Sequence, residues 1–114
     1  MPKNGDKILV MKANWLSMIL AGHKTMEIRG TAFRAGKYYL GHKGLIHGVV
    51  QLGAPACIES DKRWRELAHQ HKMARATRPY KKTFGLGILK MKPTCKYSYH
   101  HPRGAIAIVR YRNS

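Results

Sequence analysis

The stretch Trp15-Leu16-Ser17-Met18-Ile19-Leu20-Ala21-Gly22-His23-Lys24-Thr25-Met26-Glu27-Ile28-Arg29 holds two different hydrophobic periods back to back. Its first half, Trp15 to Ala21, is apolar nearly all round. With Asn14 offered as an N-cap and Gly22 at the C′ position, it predicts a short helix that plugs a sheet or barrel. Its second half alternates with period two. Met26 and Ile28 claim one face of a strand, while Thr25, Glu27 and Arg29 take the other. A buried helix turning directly into a half-polar strand points Glu27 and Arg29 away from the core, with Lys24 at the strand's entrance just past the helix end.

Outward from this stretch the elements are short and no linker separates them. Ile8 to Met11 reads as an apolar strand. Arg34-Ala35-Gly36-Lys37 turns into a strand over Tyr38–Gly41, and Leu45–Leu52 forms a longer strand with Gly48 as a bulge or close approach. From Asp61 a second helix carries Trp64, Leu67, Ala68 and His71 at i, i+3, i+4, i+7. A basic loop over residues 75–82 follows, then strands at Phe84–Met91 and Gly104–Tyr111. Five to six strands with two flanking helices, and no βαβ alternation, indicate an α+β mixed barrel in one domain spanning residues 1–114.

The same residues resemble the ASCH (activating signal cointegrator homology) family, in which an apolar helix ending in Gly precedes Lys-Thr, a Glu and an Arg. The resemblance extends through Gly36-Lys37, the Gly48-centred strand, Thr83-Phe84-Gly85-Leu86-Gly87-Ile88-Leu89 and the C-terminal run from Pro93 to Val109. It implies a small PUA-like barrel with a cleft beside the Lys–Glu–Arg strand. Relatives of that fold bind RNA or recognise modified bases, and some ASCH members are thought to be nucleases or to hydrolyse acylated cytidine. In those amidohydrolases the motif has Lys, then Thr three residues later, and a Glu on the following helix. Here Lys24 matches, Glu27 stands in the Thr position, and His71 falls where the Glu would lie, so that mechanism does not carry over.

Charge narrows the function independently of any resemblance. The 114 residues contain 22 Lys and Arg against 5 Asp and Glu, a net +17, with a pI near 10.4. Such a balance marks a partner of polyanions. A hydrophobic fraction of 44% still supports a core. No apolar run nears the roughly 18 residues that span a bilayer, so no membrane partner is expected. Two cysteines, Cys57 and Cys95, fit free thiols in an intracellular protein. His100 and His101 near Cys95 lack the paired spacing of a zinc site, and no phosphate-binding Gly loop is present. Neither metal nor cofactor is therefore expected.

Three basic–aromatic clusters suit single-stranded or structured RNA better than duplex DNA, because exposed rings stack on unpaired bases. They are Arg78-Pro79-Tyr80-Lys81-Lys82, Lys96-Tyr97-Ser98-Tyr99-His100-His101, and Lys37-Tyr38-Tyr39 with His42-Lys43. The expected nucleic-acid contacts are Lys24, Glu27, Arg29, Lys43, Arg78, Tyr80, Lys81 and Lys82. If the domain is a hydrolase of RNA or a modified nucleoside, Lys24, Glu27 and His71 are the catalytic candidates, with Glu27 and His71 as an acid–base pair. Two plainer readings compete: an ion pair that merely closes the strand, and a core-edge His71. A docking module on a ribonucleoprotein is the remaining alternative.

Overall fold

The computed structural model describes residues 1–101 and 108–112. In chain order the elements are β1 (Lys7–Val10), α1 (Ala13–Leu20), β2 (Met26–Arg29), β3 (Gly36–His42), β4 (Leu45–Leu52), β5 (Ala56–Cys57), α2 (Asp61–Glu66), α3 (Ala68–His71), β6 (Phe84–Ser98) and β7 (Ile108–Arg110). The strands form one seven-stranded mixed sheet in the order β2-β6-β4-β3-β1-β7, with β5 also on β6. β1 and β3 run parallel, and every other described pairing is antiparallel. The α+β mixed barrel of five to six strands expected from the sequence forms as a curled half-barrel of seven. The seventh strand is the two-residue β5, too short to leave a periodic signal.

Alternation in β2 holds as the pattern requires. Ile28 packs with Ile58, Trp64 and Leu67 in a core beneath α2 and α3, with Met26 at its edge, leaving Glu27 and Arg29 on the reverse side. α1 lays Leu16 and Ile19 onto a larger core with Leu40, Val50, Leu52 and Leu86. It is not the fully enclosed plug expected from its composition, since Trp15, Met18 and Leu20 are only half-buried and Ser17 is exposed. Nor does Asn14 cap it. The N-cap is Lys12, without a side-chain hydrogen bond, because the helix begins at once after β1. Gly22 does close it, at φ 78°, a left-handed value that suits glycine.

The helix read from Asp61 is divided at Leu67 into α2 and α3. Ser60 caps it through Oγ, which accepts from the Arg63 amide at 3.0 Å. Trp64, Leu67 and His71 face the core, whereas Ala68 is exposed, the break having turned it outward. β6 continues past Met91 to Ser98, so Lys96 and Tyr97 belong to a strand and not to a loop. Gly48 has both anticipated roles. The pairing of β4 with β6 is irregular between Ile46 and Gly48, and a Cβ there would lie 3.0 Å from Leu20 Cδ2. Of the C-terminal strand expected over Gly104–Tyr111, residues 104–107 lie outside the described residues, and 108–110 pair with β1.

Candidate nucleotide cleft

The junction of the end of β1, the start of α1, β2 and the loop after α3 encloses a cleft of about 630 Å³. Lys24, Glu27, Arg29, Trp15, His42 and Tyr80 are among the residues lining it.

Its floor is charged yet nearly closed to solvent. Lys24 is 2% exposed and Glu27 4%. The Lys24 ammonium donates to the His71 carbonyl at 2.6 Å and lies 5.0 Å from the centre of the Trp15 ring. Burial lowers the Lys24 pKa to about 8; the Glu27 carboxylate opposes that shift, and the Arg29 charge adds to it. Glu27 accepts through Oε1 from the Ile28 amide at 3.0 Å and through Oε2 from Arg29 Nη2 at 3.3 Å. The same Arg29 nitrogen donates to the Val10 carbonyl at 3.1 Å, tying β2 to the end of β1. An ionised carboxylate has about four acceptor positions. Glu27 therefore keeps capacity for a donor entering the cleft.

One wall is the loop after α3, and it is hooked in place from both ends. The Arg78 amide and Nε both donate to Asp61 Oδ1, at 3.0 and 2.9 Å. Those two bonds, the backbone one first, hold the Asp61 carboxyl below its usual range. At the far end Thr83 Oγ1 donates to the Tyr80 carbonyl at 3.0 Å and accepts from the Tyr80 amide at 3.3 Å. Tyr80 stays 47% exposed, its ring lying where a Cβ on Gly30 would be 3.1 Å away. On the opposite side His42 Nδ1 bonds the Met11 carbonyl at 2.9 Å. A carbonyl only accepts, so Nδ1 carries a proton.

The residues singled out from the sequence separate into groups. Lys24, Glu27, Arg29 and Tyr80 share the cleft. Lys43 sits at the tip of the β3–β4 hairpin, where it and Gly44 both have positive φ, as a two-residue type I′ turn needs. Lys81 and Lys82 are exposed beyond the rim. Arg78 tethers the loop through Nε to Asp61 and Nη1 to the Ile58 carbonyl, with its side chain part-buried.

His71 lies under the floor and not in it. It is fully buried and stacks on Trp64 with ring centres 3.7 Å apart. Its Nε2 bonds the Trp64 carbonyl at 2.9 Å, and its Nδ1 accepts from the Met73 amide at 3.0 Å. Both nitrogens are thus committed to main chain. Burial, chiefly, pushes its pKa down, against the opposing Trp64 carbonyl bond. Of the lining residues, sequence reading assigned Trp15 wholly to the core and passed over Lys12 and Met73, while Arg75 was read only as the start of the basic loop. His42 was read only with Lys43. The basic loop was visible, but its approach to β2 was not.

Tyrosines prove mostly structural. Tyr38, Tyr39, Tyr99 and Tyr111 are buried core residues, so of the three basic–aromatic clusters only the one at Tyr80 presents a well-exposed tyrosine ring, while the cluster after Lys96 exposes the His100 and His101 rings. Among the described residues no three His, Cys, Asp or Glu side chains gather as metal ligands. No helix among them is long and apolar enough to cross a membrane.

No protein-family model and no curated protein matches the chain. Among solved structures it is similar to a mutant form of ZmASCH from Zymomonas mobilis, with a TM-score of 0.73 over 98% of this chain and 92% of that one. Identity is 12%. The chain has an ASCH-like fold.

Proposed function

We propose that this domain binds RNA and takes one unstacked nucleotide into the cleft. The observation that carries the reading is the buried Lys24–Glu27–Arg29 floor, edged by Trp15 and by exposed Tyr80, on a chain of net charge +17. The cleft volume is that of a small-ligand site. Cations at the floor attract phosphate, and the spare acceptor positions of Glu27 suit an exocyclic amine of a base. Trp15 and Tyr80 supply apolar ring surface of the kind on which bases stack.

The test is a titration with CMP and UMP, which present an amine donor against a carbonyl acceptor at C4 and a bare acceptor against an N–H donor at N3, followed through Trp15 fluorescence. Trp64, the other tryptophan, is fully buried. CMP should bind more tightly by on the order of tenfold, and Glu27→Gln should erase that preference while barely moving the melting temperature. A variant that melts much lower yet binds both nucleotides as before would overturn the reading and leave Glu27 a structural counter-ion.

A hydrolytic reading has its own support. An amine with a pKa of about 8 beside a carboxylate is a candidate proton carrier near neutral pH. Here the acid–base partner of Glu27 would be Lys24, since His71 has no free nitrogen. Turnover of RNA or of an acylated nucleoside, lost in Glu27→Gln with binding kept, would establish it.

A further inference from the structure

The face of the sheet formed by β3, β4 and β6 carries a second cationic site that shares no residue with the cleft. Register places Lys37, Gln51 and Lys90 side by side across the three strands, and Tyr39, Val49 and Lys92 in the adjacent row. Around them is a shallow hollow of about 580 Å³, lined by Lys37, Val49, Val50, Gln51, Lys90, Met91 and Lys92. All three lysines are exposed. Among the described residues none of the three has an ion-pair partner; Lys37 only leans over the Tyr39 ring at 4.9 Å.

Acidic residues are absent from this part of the chain. No Asp or Glu occurs from residue 28 to 58 or from 67 to the end, which includes all of β3, β4 and β6. A neighbouring hollow, which shares Lys37, does contain Asp6, but its carboxylate accepts from the Lys3 amide at 2.8 Å. Like charges side by side on a sheet repel. Such an arrangement without counter-charges fits an anionic partner.

We infer that this face holds the phosphate backbone of the RNA whose base enters the cleft. The inference rests on the RNA-binding reading and adds to it a separate, sequence-blind anchor. Strand geometry sets Lys37 and Lys90 about 10 Å apart at the backbone and Lys90 and Lys92 about 7 Å apart. That footprint matches roughly two to three successive phosphates of one strand. An acidic lipid surface fits less well, because the hollow offers only half-buried Val49 and Met91 and no bulky exposed side chain to insert. Along β3, Lys37 and the cleft residue His42 are about 17 Å apart, so a mononucleotide reaches one site and an oligonucleotide is needed for both.

The experiment compares wild type with a Lys37→Ala, Lys90→Ala, Lys92→Ala triple variant, using CMP, a 15-nucleotide single-stranded RNA and phosphatidylserine vesicles. All three positions are exposed, so the fold should survive; the triple Lys→Arg variant controls for it and should retain binding. The triple Ala variant should bind CMP normally but lose on the order of 10- to 100-fold in affinity for the RNA, with its salt slope smaller by about 2. Unchanged RNA affinity and slope in the triple Ala variant would overturn the inference and leave the cleft reading intact. Loss of vesicle binding with RNA binding kept would overturn it in favour of a lipid. A wild type that binds no RNA at low salt would overturn both.

Discussion

Lys24 concentrates the physical tension of the site. A lysine this buried is costly in its charged form, yet it is held against a carbonyl at 2.6 Å and near a carboxylate that favours the charge. Burial wins, and the pKa falls to about 8. The sign for stability follows. Unfolded Lys24 binds its proton more tightly than folded Lys24, so stability from this group is greatest above pH 10 and is lost as pH falls through about 8. NMR of labelled lysine side chains should show the Lys24 resonance titrating near 8. Because Glu27 raises this pKa, Glu27→Gln should move the midpoint lower still. A Lys24 midpoint above 10, or one indifferent to Glu27→Gln, would show that the two groups do not share a buried floor.

Elements differ in how openly the sequence declared them. β4 was readable to its ends because Leu45–Leu52 is a long apolar run between Lys43-Gly44 and Gly53. β2 was readable because its alternation is strict. β6 was readable only over Phe84–Met91 and not in its continuation to Ser98, since Lys92-Pro93-Thr94-Cys95-Lys96 has no period-two pattern and a proline normally argues against a strand interior. Pro93 lies opposite Gly48, at the bulge, where a missing amide donor is tolerated. The α2–α3 pair carries its own test. His71 joins Trp64 to Met73 only when neutral, because its Nδ1 must accept. Its depressed pKa means that its stabilisation is present above the unfolded value near 6.5 and is lost as pH falls through the lower folded one. His71→Gln should therefore melt well below wild type at pH 8, and the gap should shrink steadily toward pH 5. His47 is depressed as well and titrates in both proteins, so the gap isolates His71. A gap that stays constant with pH would mean that His71 contributes packing alone.

For the molecule as a whole, the floor of the site was legible and its walls were not. Lys24, Glu27 and Arg29 lie within six residues, where alternation sets the direction of Glu27 and Arg29 and the end of the helix sets Lys24 at the strand's entrance. Trp15, His42 and Tyr80 reach the same cleft only through packing of α1, the end of β3 and a loop tied to Asp61, none of which a local pattern reports. Net charge is the property that needs no fold to read, and it makes the last prediction. The molecule measures 45 × 27 × 22 Å, whereas the screening length is about 30 Å at 10 mM salt and about 8 Å at 150 mM. At low salt nearly every cation feels most of the others, and only three ion pairs are formed among the described residues. Self-repulsion then opposes the compact state. The melting temperature of the free domain should rise as salt is raised over that range, most steeply at its lower end. Added RNA should also raise it, by mass action, but that increment should shrink with salt as binding weakens. The two trends oppose each other because one pool of charge produces both: salt relieves the empty surface and competes for the occupied one. A free domain whose melting temperature is flat in salt would show that its lysines and arginines are too dispersed to repel. The same result would remove the physical reason for expecting an anionic chain to cover them.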